Sequence, residues 1–193
     1  MISILRISPC DGGDGMKVTV YFDGVKNTYT VSAEFYLENG IKKGDFCDIY
    51  DELVAEDRLY SARRTAIRIL SAGQCSSHRL YEKLKMRGFP HECAKNATDF
   101  VAAEGYIDED WQIENYLKTL VEKKYYGRRK LIPTLLAKGY SGERICAILN
   151  EKYTDSDFNK FRTEFLEKTF GKISPETHEE AAEMKKALYK QGY

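Results

Sequence analysis

Leu80-Tyr81-Glu82-Lys83-Leu84-Lys85-Met86-Arg87-Gly88-Phe89 is the stretch that decides the fold, because its pattern occurs three times. Leu131-x3-Leu135-x3-Gly139-Tyr140 repeats it with the glycine 51 residues on, and Met184-x3-Leu188-x3-Gly192-Tyr193 a further 53 residues on. Apolar residues at i and i+4 share one face of a helix, and a following glycine takes the left-handed conformation that ends one. The first two copies also agree upstream, since Leu70 precedes Leu84 and Val121 precedes Leu135 by the same 14 residues. A period near 50 residues marks a tandem helical repeat, whose units bury their apolar faces by stacking on neighbours.

The flanks of the motif complete each unit. Upstream of the first copy, Ala62, Ala66, Ile69 and Leu70 lie on one helical face, and Ser76 or Ser77 is placed to cap the next helix. Downstream, Pro90 suits the first turn of a third helix, which carries Ala94, Ala97 and Val101 inward as far as Gly105. In the second unit, Ser141 is expected to cap the matching helix, with Ile145, Ile148 and Leu149 on its apolar face. Three helices per unit follow.

Ahead of the repeats the period changes to two. Ile2, Ile4 and Ile7, then Val18, Val20 and Phe22, read as strands, and Asp23-Gly24 before Thr28-Tyr29-Thr30-Val31 is a hairpin turn signal. Asp11-Gly12-Gly13 is a further turn, Phe35-Tyr36-Leu37 suits a short helix, and Phe46 to Tyr50 a further strand. A module of that size needs a neighbour to pack on. The predicted fold is mainly α: tandem three-helix repeats forming an elongated curved array, preceded by a small antiparallel β-rich module. The boundaries are 1–57 for the acidic β-rich module, 58–110 and 111–153 for two repeats, and 154–193 for a third that reads as incomplete.

Composition is that of a soluble globular protein, with 42% hydrophobic and 31% charged residues. No apolar run has the length of a membrane span and the N-terminus lacks the order of a signal peptide, so the expected location is the cytoplasm. Five scattered cysteines, without a CxxC pair or nearby histidines, argue against a disulfide framework or a zinc site. His78, His91 and His178 are far apart, and neither a P-loop nor GxGxxG is present. Asp108-Glu109-Asp110 precedes a helix near Trp111, where carboxylates favour the positive helix end, and Trp111 itself reads as a packing residue. No catalytic, cofactor or metal residues are expected.

The net charge of zero hides an uneven distribution: 5 basic against 11 acidic residues in 1–57, 18 against 11 in 58–153, and 7 against 8 in 154–193. A local positive excess attracts polyanions or acidic surfaces. Arg64 and Arg68 lie one helical turn apart beside Arg63, and Arg79, Lys83 and Arg87 follow one another at i+4, which makes two cationic stripes. A solvated helix face and a partner contact both fit such rows. Lys123-Lys124-Tyr125-Tyr126-Gly127-Arg128-Arg129-Lys130 is the densest patch, and its aromatic interleaving suits stacking on bases or anchoring in a protein groove. The candidate partner or DNA contacts are therefore Arg63, Arg64, Arg68, Arg79, Lys83, Arg87, Lys123, Lys124, Tyr125, Arg128, Arg129 and Lys130.

Ala62-Arg63-Arg64-Thr65-Ala66-x3-Leu70, Leu80-x3-Leu84-x2-Arg87-Gly88-Phe89 and Gly105-Tyr106-Ile107-Asp108-Glu109 together resemble the first repeat of the RecX family of recombination regulators. The resemblance covers about residues 58–193, with 116–140 similar to the family's second unit, including its basic turn. It implies a modulator, usually an inhibitor, of the RecA recombinase in recombination, repair and the SOS response. Such a protein lies in the groove of the RecA filament on DNA and lowers its ATPase and strand exchange. The expected partner is that filament, with weak direct binding to single- or double-stranded DNA, and the expected state is a monomer without a cofactor. A DNA-binding module acting alone is the other reading of the same basic helices.

Overall fold

In the computed structural model the described residues are 2–10, 14–44 and 49–193. The expected turn at 11–13, and residues 46–48 of the expected fourth strand, lie outside them. Three strands, β1 (Ser3–Pro9), β2 (Gly15–Phe22) and β3 (Val25–Ser32), form an antiparallel meander in chain order. The two-residue turn between β2 and β3 has Asp23 at φ 47° and Gly24 at φ 81°, the hand that matches the twist of a hairpin. A bulge between Ile4 and Arg6 shifts the pairing by one residue, so the three-residue spacing of Ile4 and Ile7 still serves one sheet. Helix α1 (Ala33–Glu38) follows, with the Ser32 hydroxyl accepting the Phe35 amide at 3.2 Å. Tyr50 opens a helix and does not close a strand.

Helix α2 (Tyr50–Ala72) explains how so small a sheet is stable. Leu53 is fully buried among Ile4, Val18, Val20, Val31 and Ile41, which contributes about 2 kcal/mol to the core under the sheet. One turn on, Asp57 accepts the Thr30 amide at 2.6 Å and Glu56 accepts the Ser32 hydroxyl at 2.7 Å, while Tyr60 donates to Asp14 at 2.9 Å. Residues 57 and 58 thus lie inside one continuous helix that is common to the sheet and the first repeat. The later turns of α2 bury Ala62 and Ala66, small residues that admit helix α4 (His91–Ala103) with its own Ala94, Ala97 and Val101. Helix α3 (Ser77–Met86) completes the first triplet and buries Leu80 and Leu84.

The second triplet is α5 (Glu109–Lys118), α6 (Arg128–Leu136) and α7 (Gly142–Lys152). A π-helical turn, Thr119–Lys123, extends α5 and keeps Leu120 and Val121 buried. Asp108 caps α5 by accepting the Trp111 amide at 2.9 Å. The Trp111 ring is 53% exposed and not a packing residue, and Ser141 precedes α7 without a side-chain cap bond. Helices α8 (Asp155–Phe170) and α9 (His178–Gln191) form the third, two-helix element, and α8 opens with a capping box between Thr154 and Asp157. One core joins Ile113, Leu117, Leu131, Leu135, Ile145, Leu149 and Phe158, with Tyr140 donating to the Gln112 side chain at 2.7 Å. Burial pushes the Tyr140 phenol well above its ordinary range.

The described chain divides into two compact units, Met1–Gln74 with Leu80–Tyr106, and Cys75–Arg79 with Ile107–Tyr193. In both, the Gly-aromatic motif has one geometry. Gly88, Gly139 and Gly192 lie at φ 86°, 86° and 90°. The Phe89, Tyr140 and Tyr193 amides reach back to the Leu84, Leu135 and Leu188 carbonyls at 3.3, 3.4 and 3.1 Å. That bond satisfies a carbonyl orphaned at the helix end and aims the aromatic ring back at the apolar face.

Inside the second unit the motif has another role. The end of α9 meets the start of α6: Gly127 donates to the Gln191 carbonyl at 2.7 Å and Arg129 to that of Gly192 at 3.2 Å. Two amides with no partner in their own helix thus satisfy two carbonyls with none in theirs. The end of α6 is held in a similar way by residues that open α3. Buried Ser76 donates to the Lys138 carbonyl at 2.8 Å and accepts the Arg79 amide at 3.3 Å, while the Arg79 guanidinium donates to the Ala137 carbonyl at 3.1 Å. The motif glycines let these ends touch.

Candidate partner-binding site

The cations expected to face a partner fall into two groups, those held within the fold and those left to solvent. Arg63 belongs to the first: its guanidinium lies 4.7 Å over Phe100 and donates to Asn96 at 3.0 Å, tying α2 to α4. Arg79 is bound to the end of α6. Arg128 is held most firmly, donating to Asn150 at 2.7 Å and to the Tyr153 carbonyl at 3.0 Å, with Asp155 at 3.4 Å and the Phe158 ring at 4.8 Å. Lys130 donates to Gln191 at 3.2 Å and sits 3.9 Å over Tyr126. Tyr125, at φ 54°, packs on Phe165 at 6.3 Å with Lys168 5.4 Å above its ring. Both tyrosines of the basic turn are half-buried.

Arg64, Arg68, Lys83, Arg87, Lys123, Lys124 and Arg129 remain. In the first unit, Arg68 from α2, Lys83 from α3 and Arg87 just beyond the end of α3 line an open hollow of about 510 Å³ together with Ile69, Gly73 and Gln74. None of the three forms an ion pair among the described residues. Arg64, one turn before Arg68, lines a smaller hollow beside Asp57 and lies 5.8 Å from the Tyr60 ring. Lys123 and Lys124 are exposed at the end of the π turn.

In the second unit, Arg129 is joined by four residues outside the expected set. Arg162 of α8 and Lys185, Lys186 and Tyr189 of α9 line a hollow of about 620 Å³ with it, and Tyr193 closes one side. A signal for them exists in the sequence: Ala182, Lys185, Lys186, Tyr189 and Tyr193 recur at helical spacing on one face. The balanced charge of the last segment hides it, because Glu179 and Glu180 fall in the first turn of α9 and its lysines later. Burial, with Glu164 adding to it and Arg162 opposing, pushes the Tyr193 phenol up to about 12.

The carboxylates at 108–110 have partners in the fold. Beyond the cap made by Asp108, Glu109 accepts the Ser77 amide at 2.8 Å and pairs with Arg144 at 3.0 Å, and Asp110 accepts from Arg144 at 3.0 Å. The Asp110 hydrogen bond, foremost, raises the Arg144 pKa.

This placement separates neighbours in the basic turn. Arg128→Glu is expected to cost about 3 kcal/mol, because it removes several charge-assisted bonds and sets a carboxylate beside Asp155. Arg129→Glu is expected to change stability by less than about 0.5 kcal/mol, its side chain being exposed. Urea unfolding of the two variants checks this, and equal midpoints would show that Arg128 is not a staple.

No family model matches the chain. Among curated proteins, it is 28% identical over 188 residues to the "Regulatory protein RecX" of Caldanaerobacter subterraneus subsp. tengcongensis, covering 92% of this chain and 87% of that one. Proteins of the same name from two Clostridium perfringens strains are 27% and 28% identical over 143 residues, and there the match spans 73% of this chain but only 64% of theirs. A solved structure described as regulatory protein RecX superposes with a TM-score of 0.80 at 17% identity, over 100% of this chain and 95% of that one. The RecX structure from Lactobacillus salivarius superposes with a TM-score of 0.63, over 71% and 89%. The solved structures share the fold, and the Caldanaerobacter relative shares sequence along 92% of the chain, so this chain is similar to RecX regulatory proteins in both sequence and fold.

Proposed function

We propose that this protein regulates RecA by binding the RecA–DNA filament and lowering its ATPase and recombinase activity. The observation that carries the reading is sequence similarity to RecX regulatory proteins along 92% of the chain. The sites support it physically. Each unit presents a separate set of exposed cations, and several modest contacts made by one chain on a repeating partner add up through effective concentration. In the first unit the contact is Arg68, Lys83 and Arg87, with Arg64 beside them. In the second it is Lys123, Lys124 and Arg129. The regulator acts as a cytoplasmic monomer by binding alone, and no helix among the described residues is long and apolar enough to cross a membrane.

RecA's DNA-dependent ATPase, measured with rising amounts of the protein, tests the proposal. The rate is expected to fall severalfold with the protein co-sedimenting with the filament. An unchanged rate at excess protein, without co-sedimentation, would overturn it.

A further inference from the structure

The second helix of each triplet carries a row of side chains one residue beyond its two motif apolars. Tyr81 and Lys85 follow Leu80 and Leu84, Ile132 and Leu136 follow Leu131 and Leu135, and Lys185 and Tyr189 follow Met184 and Leu188. Residues four apart share a helix face, and in the first two triplets the third helix meets that face. Tyr81 hydrogen-bonds the His91 ring of α4 at 2.6 Å, with the two rings edge to face. Ile132 packs on the core that α7 helps to build, and a β-carbon on Gly142, the first residue of α7, would lie 3.6 Å from Leu136. On α9 the row has no helix against it among the described residues. Lys185 and Tyr189 are exposed, the tyrosine by 73%, and both line the hollow of about 620 Å³.

A helix seated on this row would meet another chemistry from the one that α4 and α7 meet. Where they have Tyr81 and Ile132, it has Lys185, with Lys186, Arg129 and Arg162 around the same hollow and no acidic residue among the lining. None of these cations forms an ion pair or hydrogen bond through its side chain among the described residues. Glu164, the carboxylate acting on Tyr193, pairs with Lys160 at 4.0 Å. The negative end of α9 is also masked, because the Gln191 and Gly192 carbonyls already accept amides from the start of α6. Like charges gathered without a counter-charge repel, and an acidic group brought among them relieves that repulsion. The remaining lining is apolar or aromatic, Ala182, Leu188, Tyr189 and Tyr193. An extended acidic chain would neutralise the cations and leave these uncovered, whereas an amphipathic helix with carboxylates flanking its apolar stripe uses both.

We infer that the hollow is a docking surface for an acidic amphipathic helix of a partner protein, which takes on α9 the place that α4 and α7 take in their own triplets. The apolar stripe of that helix lies on Ala182 and Tyr189, and its carboxylates pair with Lys185, Lys186, Arg129 and Arg162. The repeat favours a helix as occupant, because a helix covers the same row in both other triplets. The charge selects an acidic one. The inference does not rest on the regulation of RecA and is tested without it.

The probe is a fluorescein-labelled peptide of about 18 residues, built of Leu, Ala and Glu with the leucines on one helical face and long enough to hold a helix. Its anisotropy is followed as the full chain is added. A peptide of the same composition with the leucines scattered is expected to bind at least tenfold more weakly, since charge is kept and the stripe is lost. Lys185→Glu/Lys186→Glu is expected to weaken binding of the striped peptide at least tenfold, and Tyr189→Ala about fivefold. These three side chains are exposed, and circular dichroism verifies that each variant is folded. No binding of the striped peptide at about 100 μM protein overturns the inference, as does equal binding of the striped and scattered peptides. An unchanged affinity in both the Glu and Ala variants overturns it as well. Displacement of the peptide by less unlabelled oligothymidylate than unlabelled peptide would assign the hollow to nucleic acid instead. Sedimentation showing a dimer of this chain that the Lys185→Glu/Lys186→Glu change dissolves would assign it to a second copy, and either result overturns the inference.

Discussion

Gly192→Ala and Gly139→Ala are expected to destabilise the protein by about 2–4 kcal/mol each, and Gly88→Ala by only about 1 kcal/mol, although the three residues hold the same place in the repeat. All three lie in the left-handed region, where a β-carbon meets the following carbonyl at a cost of roughly 1–2 kcal/mol. Surroundings make the difference. A β-carbon on Gly88 meets nothing within 4 Å. On Gly139 it falls 2.8 Å from the Ser76 hydroxyl and 3.1 Å from the His78 ring, and Ser76 is buried and bound to Lys138, so it has little freedom to move. On Gly192 it falls 2.6 Å from both the Lys130 backbone nitrogen and its β-carbon, atoms that cannot swing away. Gly127, on the other side of the same contact, has no room for a β-carbon against the Gly192 carbonyl. Urea unfolding of the three alanine variants gives the order. Equal costs would mean that these glycines act only as helix ends and that the end-to-end contact contributes nothing.

That contact marks the limit of what is legible in the chain. The motif itself, its left-handed glycines, the hairpin at Asp23-Gly24, the cap at Ser76 and the acidic start of α5 were all readable, because each depends on residues within a few positions of one another. The approach of Gly192 to Gly127 depends on residues far apart in sequence, and a glycine that ends a helix looks the same whether or not another backbone passes beside it. The candidate site divides in the same way. Rows such as Arg79, Lys83 and Arg87 are visible as spacing, but Arg79 is bound to the end of α6 while Lys83 and Arg87 line the first hollow, which only the fold decides. In the basic turn, Arg128 and Arg129 are adjacent and chemically alike. A step of one residue at the first turn of α6 aims one at Asn150 and Phe158 and leaves the other on the surface. The hollow on α9 was obscured for a different reason, since summing charge over a segment cancels a cationic face against acids placed elsewhere on the same helix.

Charge reversal of the first hollow, Arg68→Glu/Lys83→Glu/Arg87→Glu, is expected to leave the fold intact and to raise the concentration needed to inhibit RecA's ATPase by on the order of 100-fold. Each reversal removes an attraction to an anionic partner and adds a repulsion, and three lie around one concavity, so their effects on association and on the bound state act together. The fold is spared because Arg68 and Arg87 are exposed, Lys83 is half-exposed, and their one side-chain bond among the described residues, from Arg87 to the Lys83 carbonyl at 3.2 Å, is local to the end of α3. Arg63→Glu supplies the contrast from the same stripe of α2. It forfeits the bonds to Asn96 and Phe100, so its effect is expected on thermal stability, with a lowered melting temperature and an inhibition curve that shifts little below that temperature. Thermal melts and ATPase titrations on both variants separate a binding surface from a staple. If the triple variant inhibits at the wild-type concentration, the filament contact lies elsewhere. If Arg63→Glu weakens inhibition as strongly as the triple variant while melting normally, Arg63 leaves Phe100 to meet the partner, and the division into held and free cations fails at that residue.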